Sequence, residues 1–310
     1  MYEKVSFKSQ VAEIAKPVEN NFIVAKDVDV IEPKKASKVK VAASFGRYHH
    51  KMESDVIVQD GILDNFRNCV RDVLPEDSLL SHNYLVTDTI VDELYGEHVL
   101  KEMLAAKLNV TKLVVPAETS DESGESSTEM HKTLGVLSGL IDQVLDGGID
   151  KHSCIISLGG GVVNNLCGFL ASTLYRGIKL VHITTTMMGQ ADAAIDFKQA
   201  VNHPKGKNLV GAYYPASAIV CDPSTLTTLS DRHILNGLSE CIKHAFTQSA
   251  ELMDYILTGL ANLRDTKYLE TVVSLTVAHK APTLTNYHDS DFNEICPQYG
   301  HAIGHAVEHL

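Results

Sequence analysis

Three consecutive glycines, Gly159, Gly160 and Gly161, follow the short apolar run Cys-Ile-Ile-Ser-Leu that starts at Cys154. Apolar residues at helical spacing come next, from Val162 to Tyr175. Strand, glycine turn and helix in that order aim backbone N–H groups and a helix N-terminus at a phosphate. The spacing G-x-G-x-x-G is absent, so the same residues also read as a tight strand–helix turn without a ligand. A second apolar run, Ile178 to Ile183, leads into Thr184, Thr185 and Thr186, then Asp192, Asp196 and Lys198. A polar turn follows from Asn202 to Asn208, with Lys205 and Lys207 in it. Strand ends carrying Thr, Asp, Lys and Asn are where open α/β sheets place ligands, and Lys and Asn suit phosphates and sugar hydroxyls. Taken singly, each of these reads as a solvated loop residue.

The last third of the chain offers metal chemistry. Glu240, Lys243 and His244 share one helix face, and His301 and His305, four apart, share another. A carboxylate on one helix and a His pair on a second is a common way to hold Zn²⁺, although surface helices carry such pairs by chance. Near the start, Asp88 closes the apolar run Tyr84 to Thr87, where an acid either bonds a ribose hydroxyl or caps a helix. The cluster Arg47-Tyr48-His49-His50 reads as a surface loop, since nothing beside it completes a site.

The elements that must position these residues alternate. Strands are expected at Val39 to Ala43, Asp55 to Val58, Tyr84 to Thr87, Lys112 to Val115, Cys154 to Leu158, Ile178 to Ile183 and Ala218 to Cys221, with a further short one at Phe22 to Ala25. Helical periodicity falls between them at Leu63 to Val73, Val91 to Leu108 and Glu129 to about Leu145, which predicts a parallel sheet with crossover helices. Residues 117–128 are acidic and Ser-rich and read as a loop. After Arg232 the pattern is mostly helical, about 235–248, 250–263, 267–285 and 299–310. The expected division is an N-terminal extension at 1–52, a Rossmann-like α/β domain at 53–222 and an all-helical domain from 223 to 310.

Composition excludes several classes. The net charge of −12 argues against a nucleic-acid partner held through phosphates. Hydrophobic residues at 44% and charged ones at 21% are ordinary for a globular protein, and no apolar run is long enough to span a bilayer. The six cysteines form no C-x-x-C pair, and no signal-peptide core precedes them, which predicts reduced thiols and a cytoplasmic setting.

Longer motifs add a resemblance. Glu129-x-x-Lys132, GGGVVNN from Gly159, Tyr175-Arg176-Gly177, TTTMMGQAD from Thr184, KQAVN from Lys198, GKNLVGAYYP from Gly206, GLSECIKH from Gly237 and YGHAIGHAVE from Tyr299 resemble, in that order, the sugar phosphate cyclases of the dehydroquinate synthase family. The resemblance implies NAD bound by Asp88, Glu129, Lys132, Gly159, Gly160 and Gly161, with Thr184, Thr185 and Asp192 nearer the nicotinamide. It implies Zn²⁺ or Co²⁺ on Glu240 and His301. It places Lys198, Asn208, Lys243, Lys280 and His305 in the substrate pocket, Lys198, Lys243 and His305 as its catalytic members. Arg176 would help hold the phosphate, across a homodimer interface. Glu308 reads as structural or as support for the metal site.

Within the family, KQAVN and GKNLVGAYYP are most similar to 2-deoxy-scyllo-inosose synthase, which implies glucose 6-phosphate as substrate. Dehydroquinate synthase usually has Gly-Asp at Asn164-Asn165 and Lys-Thr at Lys198-Gln199, and it holds a substrate carboxylate with an arginine shortly before the His pair. Residues 281–300 contain no Lys or Arg, so a neutral sugar phosphate fits better. Valiolone-type synthases, which cyclise sedoheptulose 7-phosphate, resemble the chain less. The implied reaction oxidises a ring carbinol, eliminates phosphate, returns the hydride and closes a carbocycle by an intramolecular aldol step. A metal-dependent polyol dehydrogenase of related fold is the reading from another class. The family's third metal ligand, in a His-Gly-Glu, lies beyond Leu310, and His309 sits two turns from His301. Either the chain is a fragment or its metal site is incomplete, as in a truncated duplicate kept as a subunit or regulator; with two metal ligands, the 310 residues are expected to bind Zn²⁺ poorly and to have negligible turnover.

Overall fold

The computed structural model describes residues 37–44, 51–120, 125–127, 129–285, 299–301 and 303–304. The expected strand at Phe22 to Ala25, the cluster at 47–50, and His305, Glu308 and His309 lie outside the described residues.

Strands β1 (Ser37–Ser44) and β2 (Lys51–Val58) form an antiparallel pair. β3 (His82–Asp88) runs through a helical stretch into α1 (Glu97–Ala105), then β4 (Asn109–Val115). Short strands β5 (Glu118–Ser120) and β6 (Glu125–Ser127) pair with each other, where a loop was expected. Next come α2 (Leu134–Asp146), β7 (Cys154–Gly159), α3 (Gly161–Thr173) and β8 (Lys179–Thr184). β9 (Lys198–His203) and β10 (Gly206–Tyr213) make an antiparallel hairpin, and β11 (Ala218–Cys221) follows. Helices α4 (Asp231–Gln248), α5 (Ala250–Gly259) and α6 (Thr266–Thr285) close the described sequence.

The main sheet has the order β1-β2-β11-β8-β7-β3-β4, and every pairing beyond β1–β2 is parallel. Among the described residues the sheet begins at Ser37, and the boundary expected after residue 52 falls inside β2. From β4 the chain crosses back over β3 to β7, so the direction of winding reverses between β3 and β7. A crevice opens outside the carboxyl ends of strands at such a reversal, and it is where open α/β sheets take ligands. Asp88 and Gly159 end the two strands that flank it.

Each central strand is apolar on both faces, as a sheet covered on both sides requires. Ile155 packs into one core with Tyr84, Val86, Leu166 and Leu170, while Ile156 faces the other with Leu85, Phe66, Val99 and Met103. The first core continues without a break into Ile234, Leu238, Leu269 and Val273, so the helical segment packs against the sheet through shared apolar residues. Below the glycine turn, Ser157 Oγ donates to Asn164 Oδ1 at 2.9 Å and lies 2.6 Å from His182 Nδ1, while His182 Nε2 is buried without a hydrogen-bond partner. Among the described residues, no helix is long and apolar enough to cross a membrane.

Candidate functional site

The crevice at the switch point is a cleft of about 520 Å³. Gly160 caps α3 at its N-terminus, and Gly160 and Gly161 line the cleft. A Cβ on Gly160 would come within 2.9 Å of Thr186 Cγ2, so a larger residue here would have to displace that side chain. The first N–H groups of a 13-residue helix thus open on the cleft, the arrangement that favours a phosphate. Asn165 ties this turn to the hairpin: its Nδ2 donates to Gly161 O at 2.8 Å and its Oδ1 accepts from Ala200 N at 3.2 Å.

The opposite wall comes from the short turn at Glu129–His131 and from the hairpin. Glu129 Oε1 accepts from Asn202 Nδ2 at 2.7 Å, and Lys132 O accepts from Asn202 N at the same distance. Lys132 is almost fully buried, and burial pulls its ammonium below its usual value against the opposing pull of Glu129. Lys198 and Asn208 line the cleft from facing strands. Lys198 Nζ lies 3.1 Å from Asp196 Oδ2, and Asn208 takes a left-handed φ of 56° while its N–H donates to Asn202 Oδ1.

At the inner end, the turn Gly189–Ala193 presents Asp192 to the cleft. Lys280 reaches in from α6, donates to Asp192 O at 3.1 Å and pairs with the carboxylates of Asp192 and Asp196. Burial pushes the Asp192 carboxyl up, but the Lys280 ammonium beside it prevails and holds it well below the usual carboxylate range. Burial likewise pulls Lys280 down, and the two aspartates hold it above the usual lysine range. Lys243 pairs with Glu240 one turn away on α4. Asp192, Glu240 and His244 offer ligand atoms within 4.8 Å of one another, two carboxylates and an imidazole, a donor set that suits Zn²⁺ or Co²⁺.

The structure thus gathers Glu129, Lys132, Gly160, Gly161, Asp192, Lys198 and Asn208 around one cleft. Other expected residues fall elsewhere. Asp88 is a helix cap, accepting from Ile90 N and Val91 N, and does not line the cleft. Gly159, Thr184 and Thr185 are buried behind the cleft wall, which Thr186 completes. Lys280 is buried behind Asp192 and Asp196, with no face on the cleft. Arg176 is exposed beyond the C-terminus of α3, about 20 Å along that helix from the glycine turn. His301 is not among the ligand atoms gathered at Glu240; the ring of Tyr299, two residues before it, lies tilted against Phe246, about 200° around α4 from His244. Three residues had no role read from the sequence. His233 and Asn236 line the cleft from the first turns of α4, and His244 stands with Asp192 and Glu240. Only the shared helix face of Glu240, Lys243 and His244 pointed to the last of these.

These features define a class, an α/β sheet protein whose switch-point crevice is bounded on one side by packed helices. The family model for the 3-dehydroquinate synthase N-terminal region matches residues 125–236. A 2-deoxy-scyllo-inosose synthase of Streptoalloteichus tenebrarius is 36% identical over 233 residues, 74% of this chain and 57% of that protein. A 3-dehydroquinate synthase of Citrifermentans bemidjiense is 33% identical over 277 residues, 89% of this chain and 71% of its own length. Among solved structures, 2-epi-5-epi-valiolone synthase from Streptomyces hygroscopicus, with NAD⁺ and Zn²⁺ bound, matches with a TM-score of 0.72 at 28% identity, over 86% of this chain and 70% of that one. The chain belongs to the dehydroquinate synthase family and has its fold. It spans 57% and 55% of the length of two 2-deoxy-scyllo-inosose synthases.

Proposed function

We propose that this chain forms the cleft of an NAD- and metal-dependent carbocycle synthase, a phosphorus–oxygen lyase acting on glucose 6-phosphate in the manner of 2-deoxy-scyllo-inosose synthase. The observation that carries the proposal is one cleft lined both by the glycine turn and by Lys198 and Asn208. A plain polyol needs no such cationic, amide-bearing wall opposite a nucleotide site. Bound NAD⁺ supplies a reversible hydride acceptor, and Zn²⁺ or Co²⁺ supplies polarisation of a ring oxygen. The chain's own residues do the positioning. Gly160 and Gly161 leave room for the nucleotide's phosphates, and Glu129 and Lys132 face its ribose. Asp192, kept ionised by Lys280, accepts a hydrogen bond from a sugar hydroxyl, and Lys198 and Asn208 hold the substrate phosphate. Lys243 and His305 stand as the further proton-handling pair, and Arg176 serves the cleft of a second copy in a homodimer. Holding these groups in register is the main catalytic contribution.

The 3-dehydroquinate synthase reading is the second one, favoured by a relative of that name matching 89% of this chain. The absence of Lys and Arg from residues 281–300 counts against it, since a substrate carboxylate needs a cationic partner. Incubation of the protein, extended to the length of its relatives, with NAD⁺, Zn²⁺ or Co²⁺ and each of three sugar phosphates decides between them. Phosphate release from glucose 6-phosphate is expected. Release only from the seven-carbon acid phosphate selects the second reading. NADH accumulation from a polyol without phosphate release selects a dehydrogenase.

A further inference from the structure

We infer that Ser157, Asn164 and His182 are positioning residues, a buried hydrogen-bonded network that holds the first turn of α3 in place for a nucleotide phosphate. The inference rests on the reading that the glycine turn takes a nucleotide.

A helix is usually pinned at its start by the side chain of its cap. The cap of α3 is Gly160, which has no side chain to bond the first N–H groups. Those groups stay open to a ligand, and the turn needs another anchor. Asn164 supplies it one turn in. Its backbone N–H closes the first intrahelical bond, to Gly160 O at 3.0 Å, and its buried side chain reaches down to the sheet. There it meets Ser157 on β7, whose register partner on β8 is His182. One hydroxyl therefore ties the start of α3 to two adjacent strands. Asn165, about 100° further round the helix, ties the same turn to the hairpin. The glycine turn is held from beneath and from the side while its upper face stays open.

The network has a direction. A serine hydroxyl has one proton, and Ser157 gives it to Asn164 Oδ1 at 2.9 Å. At the 2.6 Å contact with His182, the hydroxyl oxygen must accept, so His182 Nδ1 carries the hydrogen. Burial keeps the ring neutral, far below the usual histidine range. His182 thus decides which way the serine points. Among the described residues, His182 Nε2 and Asn164 Nδ2 are buried without a hydrogen-bond partner. Each such atom costs free energy, and apolar side chains of like volume would avoid the cost. The network is therefore a poor device for stability and a good one for placement. Apolar contacts let a helix slide or turn slightly on a sheet, whereas hydrogen bonds fix direction.

The test uses this chain and NAD⁺ alone, without metal or sugar, with folding checked by circular dichroism. Ser157→Ala and Asn164→Ala should each weaken NAD⁺ binding by about 2- to 30-fold, the span of one charge at a helix N-terminus. Because both act through one hydrogen bond, the double variant should bind no more weakly than either single one. Long-range proton–nitrogen spectra of the unaltered chain should show His182 protonated at Nδ1 and bare at Nε2. If Asn164→Ala fails to fold, Ser157→Ala and the spectra carry the test. Unchanged affinity in Ser157→Ala, additive losses in the double variant, or a His182 ring protonated at Nε2 would each overturn the inference and leave the nucleotide site standing. No NAD⁺ binding by the unaltered chain overturns the nucleotide reading and the inference with it.

Discussion

His182 shows what a single buried residue does to the pH dependence of this chain. Burial drives its imidazole down to about 3. In the unfolded chain the ring titrates near about 6.5. Below that value the unfolded state binds a proton that the folded state refuses, so stability falls as pH drops towards about 3. One such group contributes a slope of at most ~1.4 kcal/mol per pH unit across this window. His182→Gln, with no ring to titrate, should flatten the urea-denaturation stability profile there by about that amount. An unchanged slope would refute the assignment. The same physics explains what was legible residue by residue. Lys198, Asn208 and Glu129 stand in motifs whose wording survives without the fold. The burial of His244 comes from α4 meeting the turn at Asp192, and nothing in Lys-His-Ala-Phe announces it. Asp88 was open to two readings from position alone, and its Oδ1 does cap the helix, accepting from the backbone N–H groups of Ile90 and Val91.

Among elements, α4 is the one whose placement matters most. Gly→Ala in a helix interior normally gains about 1 kcal/mol from propensity. At Gly237 the added methyl would meet Met188 N at 2.4 Å and Met187 C at 2.6 Å, both backbone atoms that cannot swing aside. Overpacking of that kind costs about 1–3 kcal/mol, so the clash wins. Gly237→Ala should lower the melting temperature. A variant as stable as the parent would show that the contact does not hold α4 on the turn. The apolar strands and amphipathic helices could be read from periodicity because burial on both sheet faces leaves runs such as Cys-Ile-Ile-Ser-Leu. The hairpin β9–β10 could not. Its strands carry Lys, Gln, Asn and His, its register shifts between Gly206 and Val210, and it packs on the edge of the cleft instead of in the sheet. It reads as a polar turn until the pairing is seen.

Across the whole molecule, strand order departs from chain order at the crevice between β7 and β3 and again where β2 meets β11. β1 and β2 reach the sheet only through β11, and Ser54 Oγ donates to Ala216 O across 162 positions of sequence. A nascent chain therefore carries an antiparallel hairpin that joins the sheet only when β11 arrives, as far along the chain as the 162 positions from Ser54 to Ala216. Val56 and Val58, fully buried in the finished molecule, face solvent for all that time. Long-range parallel pairing of this kind is slow and exposes sticky intermediates. Pulse-labelled hydrogen exchange during refolding should find amides of β7 and β8 protected first, with β2 and β11 protected together and last. Protection of β2 ahead of β11 would contradict this order. The edge of the sheet nearest the start of the chain is thus the last to be finished, and a ribosome making this protein hands over its first strands as a debt to be settled by the eleventh.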